Sequence, residues 1–296
     1  MNAKKQSIKS QAQVVEEDVE ATDDAAIVPA LVWSLGAIVL IGGLIAGAVW
    51  WVNRRPAVAT TGQSELVAPT VRDRPQLEPP AAKFTDITDE AGIKFKHYTG
   101  GRGEKLLPET MGGGCALFDY DNDGDLDLLF VNGCDWPWTN DRATPAPTLV
   151  LYQNDGKGKF TDATEAAGLN ISFYGMGVAV GDYDGDGFDD LFVSAVGADH
   201  LLHNEGGKKF VDVTETAGVG GRDDEWGTSC CWLDYDNDGD LDLFVGNYVR
   251  WSRDIDTAQD FRLVGVGRAF GPPLAFEGTF PYLYRNEGGG KFKDVS

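Results

Sequence analysis

Three acidic segments of nine residues constrain this chain more than any other feature of its sequence. Each has aspartate at positions 1, 3, 5 and 9 and glycine at position 6, and they are Asp119–Asp127, Asp182–Asp190 and Asp234–Asp242 (the first, second and third loops). So many carboxylates in nine residues repel one another unless a cation or water separates them. Calcium takes about 6–8 oxygen ligands, and the glycine allows the turn that points them inward. Three copies therefore predict about three structural calcium sites, with magnesium disfavoured because it keeps its own waters.

The predicted ligands are the carboxylates at positions 1, 3, 5 and 9 and the backbone carbonyl at position 7. In the three loops these residues are Asp119, Asp121, Asp123, Asp125 and Asp127; Asp182, Asp184, Asp186, Phe188 and Asp190; and Asp234, Asp236, Asp238, Asp240 and Asp242. Position 12, where an EF-hand needs a bidentate glutamate, is apolar in all three loops (Phe130, Val193 and Val245). The residues that follow each loop favour β-strands. The pattern therefore predicts β-hairpin turns rather than EF-hands or dockerin-like pairs of loop and helix.

The repeats are longer than the loops themselves. Each unit carries a second signature after its loop, an Asn two residues before a Gly and then a Phe-x-Asp segment, with the Asn at Asn154, Asn204 and Asn286. Four short strands are predicted in each unit, and in the first unit they cover roughly 115–119, 126–131, 149–153 and 159–163. Four antiparallel strands in a repeat of this size indicate a β-propeller blade. We therefore predict an all-β propeller domain over 83–296.

The number of units bears on how such a ring could close. Lys83–Thr88 resembles the last strand of a unit but has no acidic loop before it, so the chain is predicted to enter on an outer strand. Propellers usually contain about 4–8 blades, and three units do not suffice. We expect these units to belong to a larger ring, and self-association of an open arc is the alternative.

The N-terminal part of the chain differs in composition from the repeats. Residues 1–26 form a polar tail of mixed charge, which predicts disorder. Residues 27–52 carry no charge and exceed the roughly 20 residues that a transmembrane helix needs. The proline-rich residues 53–82 are predicted to form a semi-extended linker. We predict a single-pass anchor with the tail inside and the propeller extracytoplasmic, and a helix-mediated dimer is possible through Gly43 and Gly47, which have the small-xxx-small spacing.

Composition and the cysteines limit the remaining possibilities. The chain has 25 Lys and Arg against 47 Asp and Glu, a net charge of −22, and no basic stripe, which argues against a nucleic-acid partner. Cys115 and Cys230 both lie four residues before a loop and are predicted to be equivalent buried thiols. A Cys115–Cys134 disulfide is the alternative, and the adjacent Cys230 and Cys231 do not have a metal-binding spacing. The disulfide state of all four stays open.

The longer third unit raises a further alternative. Residues 247–281 form an insertion between two strands, where ligand contacts are common. The same insertion could equally serve as a structured cap. Trp136 and Trp138 in the first unit present the same choice between a contact surface and internal packing.

Several segments together resemble a known family. The run Phe84–Thr88, the segment Met111–Gly114 and the first loop are similar to the ASPIC/UnbV (cartilage acidic protein) family, whose blades are FG-GAP or VCBS repeats of the integrin α type. The resemblance implies a seven- or eight-bladed calcium propeller and an extracytoplasmic role in adhesion or recognition. The expected ligand is a protein or a glycan of unknown identity.

Catalytic signatures do not accompany the loops. The sequence contains none of the common nucleophile, phosphate-binding or zinc-protease motifs, and its three histidines (His97, His200 and His203) form no cluster with cysteines or carboxylates in the sequence. We predict a binding module and not an enzyme. The alternatives are a polysaccharide lyase or hydrolase on the same scaffold, and an export or assembly scaffold.

Overall fold

The computed structural model describes residues 24–53 and 83–296. The chain divides into an N-terminal part, Met1–Ala82, and the repeat domain, Lys83–Ser296. The described residues of the N-terminal part form one helix, α1 (Asp24–Asn53). Among the described residues, no helix has both the length and the apolar character needed to cross a membrane. The predicted transmembrane assignment of 27–52 is therefore not confirmed, although the helix itself forms there. The rest of the predicted tail and linker lies outside the described residues.

The repeat domain is built from antiparallel sheets of four strands each. The first sheet contains β1 (Cys115–Phe118), β2 (Asp127–Phe130), β3 (Val150–Asn154) and β4 (Phe160–Asp162). The second contains β5 (Gly175–Gly181), β6 (Asp190–Ala195), β7 (His200–Asn204) and β8 (Phe210–Asp212). The third begins with β9 (Glu225–Leu233) and β10 (Asp242–Arg250), leaves for the hairpin of β11 (Arg262–Leu263) and β12 (Gly267–Arg268), and ends with β13 (Tyr282–Asn286) and β14 (Phe292–Asp294). Each sheet is a meander in which neighbours along the sheet follow one another in the chain, apart from the β11–β12 hairpin.

The acidic loops are the turns between the first two strands of the sheets. Phe118 pairs with Asp127, Gly181 with Asp190, and Leu233 with Asp242, so position 9 of each loop is the first residue of the second strand. The prediction of hairpin turns is confirmed. The EF-hand and dockerin alternatives are excluded because a strand, not a helix, follows each loop.

The core lies between successive sheets, because alternate residues of a strand point to opposite faces. In β6, Leu191 and Val193 pack towards the first sheet while Phe192 packs towards the third, and all three are fully buried. Burying such a side chain contributes about 1.5–3 kcal/mol. Strand β6 is therefore apolar on both faces, which explains the continuous apolar run that follows the second loop.

Short turns precede the first sheet and join the sheets to one another. The helices α2 (Thr88–Ala91) and α3 (Thr214–Ala217) both end at a glycine with positive φ, as does the turn at Gly168 (φ +70°). The carbonyl of Ala167 accepts a hydrogen bond from Phe210 N–H (2.8 Å), and a Cβ on Gly168 would lie 3.0 Å from the Phe210 carbonyl. Only a residue without a side chain allows this approach at that backbone angle.

One prediction about the ends of the propeller domain needs correction. Lys83–Thr88 does not form a strand: Phe84 is 97% exposed, the segment pairs with no described strand, and α2 begins at Thr88. A strand without a neighbour leaves its backbone N–H and C=O groups unpaired. The segment therefore stays an irregular coil whose backbone groups can bond to water. The described sheets do not close into a ring. What is confirmed is the mostly β fold with four-stranded antiparallel sheets.

The insertion of the third unit packs down only in part: Trp251 and Phe276 are buried, whereas Val264 and Leu274 are exposed. Its helix α4 (Arg253–Ala258) begins after Ser252, whose hydroxyl accepts a hydrogen bond from Ile255 N–H (3.2 Å). One 3₁₀ turn, Pro273–Ala275, lies within the insertion, and another, Leu107–Thr110, precedes the first sheet. Trp136 is buried and stacks on Tyr174 (ring centroids 4.4 Å apart). The internal-packing alternative therefore holds for Trp136.

The four cysteines are free, so the Cys115–Cys134 disulfide does not form. Cys115 and Cys230 pair with Phe130 and Val245 and are thus equivalent, as predicted. Their predicted burial is wrong for Cys115, which is exposed, and only partly right for Cys230. Cys230 packs against the second sheet, and burial raises the pKa of its thiol.

Candidate metal centres

The first residue of each loop organises the loop backbone. The Asp119 carboxylate accepts hydrogen bonds from the N–H groups of Asp123 (3.1 Å) and Gly124 (2.8 Å). Asp182 and Asp234 accept the same two bonds in the other loops, at 2.9–3.2 Å. The glycine at position 6 has φ of +92° to +98° in all three, a conformation that suits glycine. The sequence repeat is therefore also a repeat of backbone geometry.

Position 9 is buried and tied to two other strands. Asp127 is fully buried, and its two carboxylate oxygens accept hydrogen bonds from Tyr120 N–H (3.1 Å) and Asn154 N–H (2.8 Å). Asp190 and Asp242 are equally buried and accept the equivalent pairs of bonds. Burial raises the pKa of Asp127 to about 6 although these bonds act in the opposite direction. The carboxylate at position 9 thus closes the hairpin and holds the third strand in place. This structural role is separate from its predicted role as a cation ligand.

The structure brings three carboxylates together in each loop. Their oxygens lie within 4.8 Å of one another, and the groups are Asp119, Asp121 and Asp127; Asp182, Asp184 and Asp186; and Asp234, Asp236 and Asp242. The position-5 residues Asp123 and Asp238 are not in these groups. The Asp125 carboxylate lies against Gly156, where an added Cβ would collide with it. The position-7 carbonyls of Asp125, Phe188 and Asp240 stay predicted ligands.

One buried oxygen in the first loop has no partner in the part of the chain that the structure describes. Asp121 Oδ2 accepts a hydrogen bond from Gln153 Nε2 (2.7 Å), whereas Asp121 Oδ1 is buried without any. Burial and the nearby Asp123 raise the pKa of Asp121. A buried acceptor without a partner is costly, and a bound cation would compensate it. The first loop therefore fits a cation by the chemistry of its own residues.

Sequence reasoning missed the role of the repeated asparagine. The Asn204 side-chain amide donates to the carbonyls of Tyr120 (2.8 Å) and Asp189 (3.1 Å), which belong to two different loops. Asn286 donates in the same way to Tyr183 (2.8 Å) and Leu241 (3.1 Å). The recurrence of Asn-x-Gly was the sequence signal, and its function is to connect successive loops.

Sequence spacing did not place His203 at a loop: the three histidines form no cluster along the sequence, but the fold brings His203 next to Asp184 and Asp190. His203 Nδ1 lies 3.0 Å from Asp190 Oδ1 and 3.4 Å from Asp184 Oδ2. The residue precedes the repeated asparagine, so the strand geometry directs it at the second loop. Its sequence distance from that loop hid the contact.

These loops and strands match a known type of repeat. Residues 119–193 and 182–245 match the family model described as FG-GAP-like repeat, in two overlapping segments. The repeats of this chain are similar to FG-GAP-like repeats. Each match starts at position 1 of one loop and ends at position 12 of the next, so the matched unit runs from loop to loop. No curated protein matches the chain. The narrower ASPIC/UnbV resemblance stays a prediction.

Proposed function

We propose that residues 83–296 belong to a calcium-stabilised, integrin-like propeller module that recognises a protein or glycan outside the cytoplasm. The observation that carries the calcium part is the buried, unpartnered Asp121 Oδ1 within a carboxylate group whose loop geometry recurs twice more. The match to FG-GAP-like repeats supports the propeller part.

Calcium in these loops would have a structural role. In the first loop Asp119, Asp121 and Asp127 would hold it, the third loop offers the equivalent group, and the second loop groups positions 1, 3 and 5 instead. A bound dication offsets the repulsion between these carboxylates, and three of them would change the net charge of −22 to −16. Because the ligands come together only in the folded chain, binding free energy adds to folding free energy.

A thermal melt of the full chain in calcium and in chelator tests this proposal. A site filled at about 100 times its Kd adds about 2.7 kcal/mol. That corresponds to a rise in Tm of roughly 5–10 °C for a unit of about 200 residues. Asp121→Asn should lose the part of the shift that the first site contributes, whereas Asp125→Asn, whose carboxylate faces Gly156, should keep the whole shift. Equal melting temperatures in calcium and chelator would refute structural calcium.

Membrane attachment and the partner are proposals that rest on the sequence. The charge-free run over 27–52 supports an anchor, and Gly43 and Gly47 support a helix dimer. Release of the protein from membranes by alkaline carbonate would reject the anchor. Binding to a glycan or matrix-protein array only when calcium is present is the expected result for the recognition role, and binding to none of them would reject it.

A further inference from the structure

The three loops differ at one side chain that faces them. The residue before each repeated asparagine is Gln153 in the first unit, His203 in the second and Arg285 in the third. Gln153 donates its amide to Asp121, and Arg285 bonds to Glu287. Only His203 adds a nitrogen that can bind a metal, because an arginine has no acceptor and the Gln153 nitrogen is a donor.

The contacts of His203 are compatible with three ligands on one ion. Its Nδ1 is grouped with oxygens of Asp184 and Asp190, all within 4.8 Å, and the two nitrogen–oxygen distances are 3.4 and 3.0 Å. Zinc ligands lie about 2.0–2.2 Å from the metal, so two of them at ordinary bond angles are about 2.8–3.6 Å apart. Both distances fall within that range.

The three side chains are also held in place by their surroundings. Asp190 is fully buried, and its carboxylate is fixed by Tyr183 N–H (3.3 Å) and Asn204 N–H (2.7 Å). The His203 ring lies edge-on to Tyr183 (centroids 6.1 Å apart), and its side chain is 23% exposed. Hydrogen bonds that orient a ligand raise metal affinity, and partial exposure leaves a path for the ion.

We propose that the second loop binds a zinc-class transition ion through Asp184, Asp190 and His203, while the first and third loops bind calcium. Imidazole nitrogen suits zinc and its neighbours, whereas calcium takes oxygen ligands. This inference rests on the proposed function, because it assumes that the loops are cation sites. It makes the metal content of the module heterogeneous: one position on the third strand of each unit selects the ion.

Zinc titration calorimetry of the chelator-treated full chain, in saturating calcium, tests the proposal. We expect about one zinc per chain, and His203→Gln should weaken its binding at least tenfold while calcium binding by the first and third loops is kept. Glutamine is the native residue at this position in the first unit, so the fold should tolerate it. Gln153→His should add a second zinc site in the first loop.

The matched control is His200→Gln. His200 also pairs with a carboxylate, Asp212 at 2.8 Å, but outside the loops. Zinc binding should survive this change. Equal zinc affinity in wild type and His203→Gln, or equal loss in both histidine variants, would overturn the proposal and leave a His203–Asp190 hydrogen bond only. If His203→Gln does not fold, the Gln153→His variant decides. The proposal is then overturned if that variant binds no additional zinc.

Failure of this inference is distinguishable from failure of the proposed function. A calcium-dependent Tm without His203-dependent zinc binding overturns only the zinc site. His203-dependent zinc binding without any effect of calcium overturns the structural-calcium proposal and supports the zinc site.

Discussion

Asp256 in the insertion offers a strong test of whether residues 247–281 act as a structural cap. Its side chain is 1% exposed and accepts three hydrogen bonds, from Leu107 N–H (2.7 Å), Trp251 Nε1 (2.9 Å) and Arg268 Nη2 (2.7 Å). Leu107 lies 149 positions earlier in the chain, before the first sheet. The carboxylate therefore links the third unit to the segment that precedes the first.

The expected cost of Asp256→Ala follows from these contacts. A hydrogen bond to a charged group contributes about 1.5–3 kcal/mol, but three bonds to one carboxylate do not add independently. Removing one partner of a buried ion pair costs about 3–5 kcal/mol because the other charge is left uncompensated. We expect Asp256→Ala to lower the free energy of unfolding by about 3–5 kcal/mol.

Urea denaturation of the full chain at constant calcium measures this cost as a lower midpoint. Asp254→Ala is the matched control: Asp254 lies on the same helix but is exposed, and an acidic residue at a helix N-terminus contributes about 0.3–1 kcal/mol. Arg268→Met added to Asp256→Ala should recover part of the loss. If Asp256→Ala falls within about 1 kcal/mol of Asp254→Ala, the cap interpretation is refuted.

Two further predictions concern the second unit. Asp199 is 3% exposed and accepts Ala195 N–H (2.8 Å), and burial raises the pKa of its carboxyl to about 7. The stabilising neutral form is fully present below the unfolded pKa of about 4 and is lost as pH rises through 7, so wild type should lose up to about 4 kcal/mol between pH 4 and pH 8 relative to Asp199→Asn. Parallel urea-stability profiles for the two proteins would contradict this. Asn204→Ala should lower the free energy of unfolding by about 1–3 kcal/mol because two carbonyls lose their donor. Asn247→Ala removes one such bond, to the Phe280 carbonyl within the third unit (3.0 Å), and should cost less; equal costs would count against the link between loops.

The loops and strands were the most predictable part of this chain, for local reasons. The Gly124 turn and the apolar run after Asp127 specify a hairpin within a few residues, and the strands of the first unit form within about one residue of their predicted bounds. The strand predicted at Lys83–Thr88 does not form, because local sequence is not sufficient there. Its pattern matches a fourth strand, but a strand also depends on a neighbour that the local sequence does not supply.

The candidate sites show the same limit. The carboxylates of Asp121 and Asp127 were predictable because they lie within one turn of chain. The contacts of Gln153 and His203 with the loops depend on the pairing of the second and third strands, and the contact of Asp256 with Leu107 crosses most of the unit. Such contacts follow from tertiary packing, which a pattern of nine residues does not contain.

The bonds of the asparagine amides run in one direction along the row of loops, from each unit to the loop of the preceding unit. Asn204 joins its own loop to the loop before it, and Asn286 does the same one unit later. The first and second loops are therefore each held from the C-terminal side by the unit that follows. Local opening of the third sheet would release the Tyr183 carbonyl and loosen the second loop, whereas opening of the first sheet removes from the second loop only the exposed bond of the Asn122 amide to the Gly187 carbonyl. Loss of order in this module should thus propagate from the C-terminal sheet towards the N-terminal one.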